Sequence, residues 1–146
     1  MSWRRAASAD FAPLETFLRQ REHRAVLPSE RLRNIGVGRS VLRRHKFFIC
    51  ENGTTVASLV YAGAGGLYFP IDMAQGQAEK PPLSDAWHPI HSIMGSTSDV
   101  VALETAFGAT PIHRMRYHTM TLRPGDYPVA LDPPFKALQA YQPDTS

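Results

Sequence analysis

Three groups of side chains in this chain could do chemistry, and each also has a plainer reading. His88 and His91 stand three apart, and His113 and His118 follow in a nearby segment. Histidine ligates metals and exchanges protons near neutral pH. In an extended segment, residues i and i+3 point to opposite faces, so His88 and His91 do not converge without a turn. No cysteine pair or acidic cluster joins them, and no metal site is expected. His91 or His118 could serve as a general base; a hydrogen-bonded surface imidazole is the plainer role. The second group is Arg33-Asn34-Ile35-Gly36-Val37-Gly38. Arg33, Gly36 and Gly38 could cradle a phosphate, with Arg39, Arg43 and Arg44 adding charge. A glycine-rich turn is the simpler account, because a short glycine motif out of context is a weak signal. The third group is Gly95-Ser96-Thr97-Ser98. Free N–H groups and hydroxyls at a helix start could hold an anion, and the same residues are routine helix caps.

The elements that would position these residues can be read from pattern. Ile90 to Gly95 reads as a strand. Ser96 or Ser98 can cap a helix with Asp99 in its first turn, Val100, Leu103, Glu104 and Phe107 at helical spacing, and Gly108 as its stop. From Ile112 to Leu122 alternate residues divide between two faces, which predicts a long strand. Earlier in the chain, Trp3 to Ala6 suits a short strand. Ser8 and Asp10 offer a helix start, with Phe11, Leu14, Phe17 and Leu18 forming one apolar face. A second short helix is expected from Ser29. Phe47–Cys50 and Thr54–Tyr61 flank Glu51-Asn52-Gly53, where Asn-Gly predicts a hairpin with both turn residues at positive φ. Leu67–Ile71 is a further strand, and the polar, proline-rich segment from Asp72 to Pro89 reads as a loop.

A chain of 146 residues suits one domain with a sizeable core. Its 43% hydrophobic and 20% charged content are those of ordinary globular proteins. The net charge of +3 favours anionic partners without naming one. Much of the basic charge lies in the first third, from Arg19 to Lys46, but without interleaved aromatics for base stacking. A solvated face or a dock for an acidic partner is expected there rather than nucleic acid. The lone Cys50, inside Phe47-Phe48-Ile49-Cys50, reads as a buried strand residue. Val56 to Ile71 is too short and glycine-rich to span a bilayer, and no apolar run of the secretory type follows Arg4 and Arg5. A reducing cytoplasm is therefore the expected location.

The order of elements is strand, two helices, an antiparallel meander, a loop, then strand-helix-strand. Together with Tyr117-His118-Thr119-Met120-Thr121-Leu122, and with Trp3-Arg4-Arg5-Ala6 before Asp10-Phe11, it resembles the GNAT superfamily of N-acetyltransferases. The resemblance implies an α/β fold with a central mixed β-sheet flanked by helices over residues 1–128. It implies acetyl-CoA as cofactor, a small-molecule or peptide amine as acyl acceptor, and Tyr117 as an acid toward a departing thiolate. A packed strand tyrosine is the plainer role for Tyr117. The family follows its fourth strand with (Arg or Gln)-x-x-Gly-x-(Gly or Ala), whose N–H groups cradle the CoA pyrophosphate. Asp72-Met73-Ala74-Gln75-Gly76-Gln77-Ala78 departs from that pattern. The chain is similar to the cofactor-poor N-terminal half of a tandem protein. Residues 129–146 would be a linker followed by the first strand of the next domain, Phe135 to Tyr141. The partner would be a second such domain or another copy of the chain. The isolated chain is then expected to be inactive, with acyl transfer to amines expected only of a parent protein. The alternative is a non-catalytic binding or regulatory module with the same fold.

Overall fold

The computed structural model describes residues 2–37, 45–73, 81 and 89–117. Met1–Met115 form one compact unit, and a second unit begins at Arg116. The first unit is built on a five-stranded mixed sheet of order β1-β2-β3-β4-β5. The strands are β1 (Ser2–Arg5), β2 (Lys46–Asn52), β3 (Thr55–Ala62), β4 (Leu67–Ile71) and β5 (Ser92–Ile93). The helices are α1 (Phe11–Arg19), α2 (Val26–Ile35) and α3 (Thr97–Phe107). The first four strands pair antiparallel, and β5 pairs parallel to β4. No helix among the described residues is long and apolar enough to cross a membrane.

Alternation along the strands divides the core into two layers. Phe47, Ile49, Leu59, Tyr61, Phe69 and Ile71 pack with Leu14, Phe17 and Leu18 of α1 and Leu32 of α2. Phe48, Cys50, Val60, Ala62 and Tyr68 pack on the opposite side with Trp3 and with Leu103 of α3. Cys50 is thus a buried thiol in the second layer. Of the apolar face expected for α1, Leu14, Phe17 and Leu18 are buried, while Phe11 is 37% exposed at the helix start.

The hairpin is present, with its turn one residue beyond the expected place. Asn52 pairs with Thr55, so the loop is Gly53-Thr54. Gly53 has φ +65°, while Asn52 stays in the strand without positive φ. A two-residue loop with glycine first is the arrangement of a type II′ turn. A bulge next to Cys50 sets this register: Cys50 faces Ser58 and Glu51 faces Val56, leaving Ala57 as the extra residue. Helix α2 begins at Val26, three residues before the expected start at Ser29. Pro28 lies in its first turn, where no N–H is needed for an intrahelical bond.

Two sequence expectations fail. The strand predicted from Ile90 to Gly95 shrinks to Ser92–Ile93. The strand predicted from Ile112 does not form over residues 112–117, which have no strand pairing. Ile112, Met115 and Tyr117 are exposed there. Neither face of that alternation is apolar, since Arg114 and Arg116 share one and His113 and Thr119 the other, so the sheet gains little by burying it. Arg114 instead reaches back to Glu104 of α3 at 2.7 Å. The remainder of that predicted strand, the end of the proposed 1–128 domain and the run Phe135 to Tyr141 lie outside the described residues.

Glycine matters most at Gly66, the residue before β4. Its φ is +75°, and a Cβ placed there would stand 2.3 Å from the Pro89 carbonyl oxygen. The bare backbone lets the chain entering β5 come this close, and His91 N–H donates to Gly66 O at 2.9 Å. Beyond Tyr68, whose carbonyl accepts from Met94 N–H at 2.9 Å, the paired part of β5 ends.

Candidate functional site

Helix ends decide what the two predicted phosphate cradles can do. Arg33 and Gly36 lie at the C-terminal end of α2. Gly36, at φ +78°, caps the helix and donates its N–H to Leu32 O at 3.0 Å. A helix presents carbonyl oxygens and the negative end of its dipole there, the opposite of an anion cradle. The Arg33 guanidinium is already paired with Glu22 at 2.5 Å. Gly38 lies outside the described residues. The plainer reading of the motif, a glycine-rich turn after the second helix, matches Gly36 as the cap that ends α2.

Gly95, Ser96 and Thr97 do stand at a helix N-terminus, that of α3. Ser96 is its N-cap: the hydroxyl accepts from Asp99 N–H at 3.4 Å and donates to Asp99 Oδ2 at 2.6 Å. Thr97 is exposed in the first turn. Gly95 backs onto the Pro70 carbonyl of β4, where a Cβ would stand 3.1 Å from the oxygen. Asp99 is 5% exposed and already supplies negative charge to this helix start. His91 is exposed before β5, with its backbone bound to Gly66. Tyr117 is 78% exposed and belongs to the second unit, while His88 and His118 lie outside the described residues. Among the described residues, no group of three or more His, Cys, Asp or Glu could hold a metal ion.

The sequence reading missed the charged cluster that closes the end of β4. Asp72, the first residue after β4, is a non-glycine residue at φ +55°, a conformation aspartate tolerates better than most. Its Oδ2 accepts from Arg21 Nε at 2.6 Å and its Oδ1 from Arg24 Nη2 at 2.5 Å. Its carbonyl accepts from Ser58 Oγ at 2.7 Å. Burial pushes the Asp72 carboxyl up, but the hydrogen bonds from Arg24 and Arg21 outweigh it and hold the group below the usual carboxylate range. Arg21 is further fixed by donating Nη1 to Phe17 O at 2.9 Å and lying 3.8 Å over the Phe17 ring. Arg24 reaches Asp99 Oδ2 at 3.6 Å. Asp99 Oδ1 in turn accepts the backbone N–H of Met73 at 2.8 Å. Two guanidinium groups from the α1–α2 connection are thus balanced by two carboxylates, one after β4 and one on α3. The partners lie 51 and 48 positions apart in sequence, with no local pattern to announce them.

No protein-family model matches the chain, and comparison with curated proteins and with solved structures likewise finds no match. Geometry and chemistry therefore carry the functional reading. At this site they describe a closed, charge-balanced clamp. It joins the end of β4 to both helical layers and, among the described residues, places the Asp72 and Asp99 carboxylates at the strand terminus.

Proposed function

We propose that this chain is a GNAT-like domain of an acyl-CoA-dependent N-acyltransferase. In this reading it is the cofactor-poor half of a tandem protein, supporting or shaping an active site completed by a second such domain or another copy of itself. The acyl acceptor would be a small-molecule or peptide amine. The fold supports the first limb of the proposal. A strand and two helices precede an antiparallel meander, and a parallel fifth strand leads into α3, which is the order on which the sequence resemblance rests up to its closing strand; that strand does not form over residues 112–117.

The bond from Met73 N–H to Asp99 carries the cofactor-poor limb. A CoA pyrophosphate in such a fold needs N–H donors after the fourth strand. Here the N–H following Asp72 is taken by one carboxylate, and Asp72 places a second beside it. A phosphate arriving at this point would meet a charge-balanced cluster whose arginines are already engaged by Asp72 and Asp99. At Asp72 and Met73 the end of β4 thus supports the cofactor-poor reading. The same pair of carboxylates favours the second reading, a non-catalytic binding or regulatory module, for the chain acting alone. Calorimetric titration of the chain with acetyl-CoA is the test. No saturable heat is expected up to millimolar cofactor, and micromolar binding would overturn the cofactor-poor assignment.

A further inference from the structure

The chain has two asparagines, Asn34 and Asn52, and their surroundings differ in the features that decide whether a side-chain amide survives. Asparagine is chemically labile, above all where the next backbone nitrogen can reach its Cγ. Both residues are exposed. Asn34 lies in the last turn of α2 and donates Nδ2 to Glu30 Oε1 at 2.6 Å. It precedes Ile35, whose branched side chain crowds the adjoining nitrogen. Asn52 ends β2 and precedes Gly53, which has no side chain to crowd it. Among the described residues no hydrogen bond holds the Asn52 side-chain amide, and none engages Gly53 N–H. In a two-residue hairpin the closing bonds join the flanking pair, here Asn52 and Thr55, so the first loop residue keeps a free N–H. A Cβ built on Gly53 would meet nothing within 4 Å, so the peptide after Asn52 has room to turn.

We propose that Asn52-Gly53 is a self-modifying site, where the chain's own amide nitrogen converts asparagine to aspartate and isoaspartate. This inference does not depend on the acyltransfer reading. Gly53 N attacks Asn52 Cγ, and the N–Cγ bond forms as Cγ–Nδ2 breaks. Nδ2 leaves as ammonia, taking the Gly53 amide proton, and a five-membered imide remains. Water then adds to one imide carbonyl. Cleavage of the new N–Cγ bond gives aspartate. Cleavage of the original peptide bond gives isoaspartate, in which Cβ and Cγ have joined the main chain. Either product carries a carboxylate where the amide stood, but only isoaspartate lengthens the backbone between Glu51 and Gly53. The pairs exposed to that extra atom are Asn52 with Thr55 and Glu51 with Val56, the two beyond the bulge next to Cys50. Val56 is buried in the layer that faces α1 and α2. Loosening at this end therefore reaches the core, while the strand pairs on the other side of the bulge keep their register.

The test is storage of the intact folded chain in mildly alkaline buffer, followed by peptide mapping by mass spectrometry. The peptide holding Asn52 should exchange an NH2 for an OH and separate into two species of equal mass. Ammonia should appear in step with them, and the peptide holding Asn34 should stay unchanged. Asn52→Gln, whose longer side chain would have to close a six-membered ring, should remain intact. In the aged chain, amide exchange over residues 51–56 should speed up. Asn52→Asp adds the charge alone and should keep the wild-type protection. An Asn52 amide that persists in the folded chain while the denatured chain converts would overturn the proposal. So would conversion of Asn34 at the same rate. An equal loss of protection in Asn52→Asp would refute backbone lengthening as the cause of the loosening.

Discussion

Replacing Asp72 with asparagine removes the charge at the centre of the β4 clamp while keeping a side chain of nearly the same shape. Asparagine also tolerates the left-handed backbone held there, so the substitution separates charge from strain. Two hydrogen-bonded guanidinium groups would lose their anion, leaving Arg24 with the longer approach to Asp99 and Arg21 with Phe17. Breaking a fully buried ion pair costs about 3–5 kcal/mol. The Arg21 and Arg24 side chains are 22% and 35% exposed, and that of Asp72 is 19% exposed. Solvent screening therefore brings the expected loss to about 2 kcal/mol, or roughly 8 °C in Tm for a unit of this size. Asp72→Ala should lose about 1–2 kcal/mol more, because alanine pays the left-handed penalty in full. Urea titration monitored by far-ultraviolet circular dichroism measures both. The folded carboxyl titrates below its unfolded value of 3.8, so its contribution is complete above that value and is lost as pH falls through the lower folded midpoint. The wild-type advantage over Asp72→Asn should hence be level from pH 5 to 7 and shrink below pH 4. An Asn variant within about 0.5 kcal/mol of wild type at pH 7, the range of an unremarkable surface substitution, would refute the clamp argument.

Two further outcomes follow from packing. Leu103 is the fully buried contact of α3 with the sheet, so Leu103→Ala should cost about 2–5 kcal/mol in urea unfolding. Gly66→Ala places a methyl group on the Pro89 carbonyl at a backbone angle that L residues avoid, and about 2–4 kcal/mol should be lost; amide exchange should show the largest loss of protection at residues 91–94.

The elements legible in the sequence are those whose signals are local. The cap Ser96, the stop Gly108 and the apolar spacing between them fall within one helix, and the glycine of the hairpin lies between its own strands. The start of α2 lies three residues before the expected Ser29, at Val26, and was hidden because the first turn carries Pro28 and no side-chain cap marks its beginning. The alternating run after Ile112 has the period of a strand without an apolar side to bury. The clamp was invisible for a different reason. Arg21, Arg24, Asp72 and Asp99 acquire their meaning only when the sheet brings the α1–α2 connection, the end of β4 and the start of α3 together.

The outer strands of the sheet bear on how the protein behaves in a crowded solution. β1 is four residues long and β5 two, and an open strand edge is a template on which a foreign strand can grow. The row offered by β1 is short, and Arg4 and Arg5 hold two of its four positions exposed to solvent. Arg4 is not a loose charge: its guanidinium forks onto Asp10 and Glu51, each at 2.8 Å. A chain seeking to extend the sheet at β1 would have to pack against this fixed ionic knot, and at β5 it would find only two residues to join. The small size of these two outer strands, together with the anchored arginine, thus discourages sheet-to-sheet polymerisation.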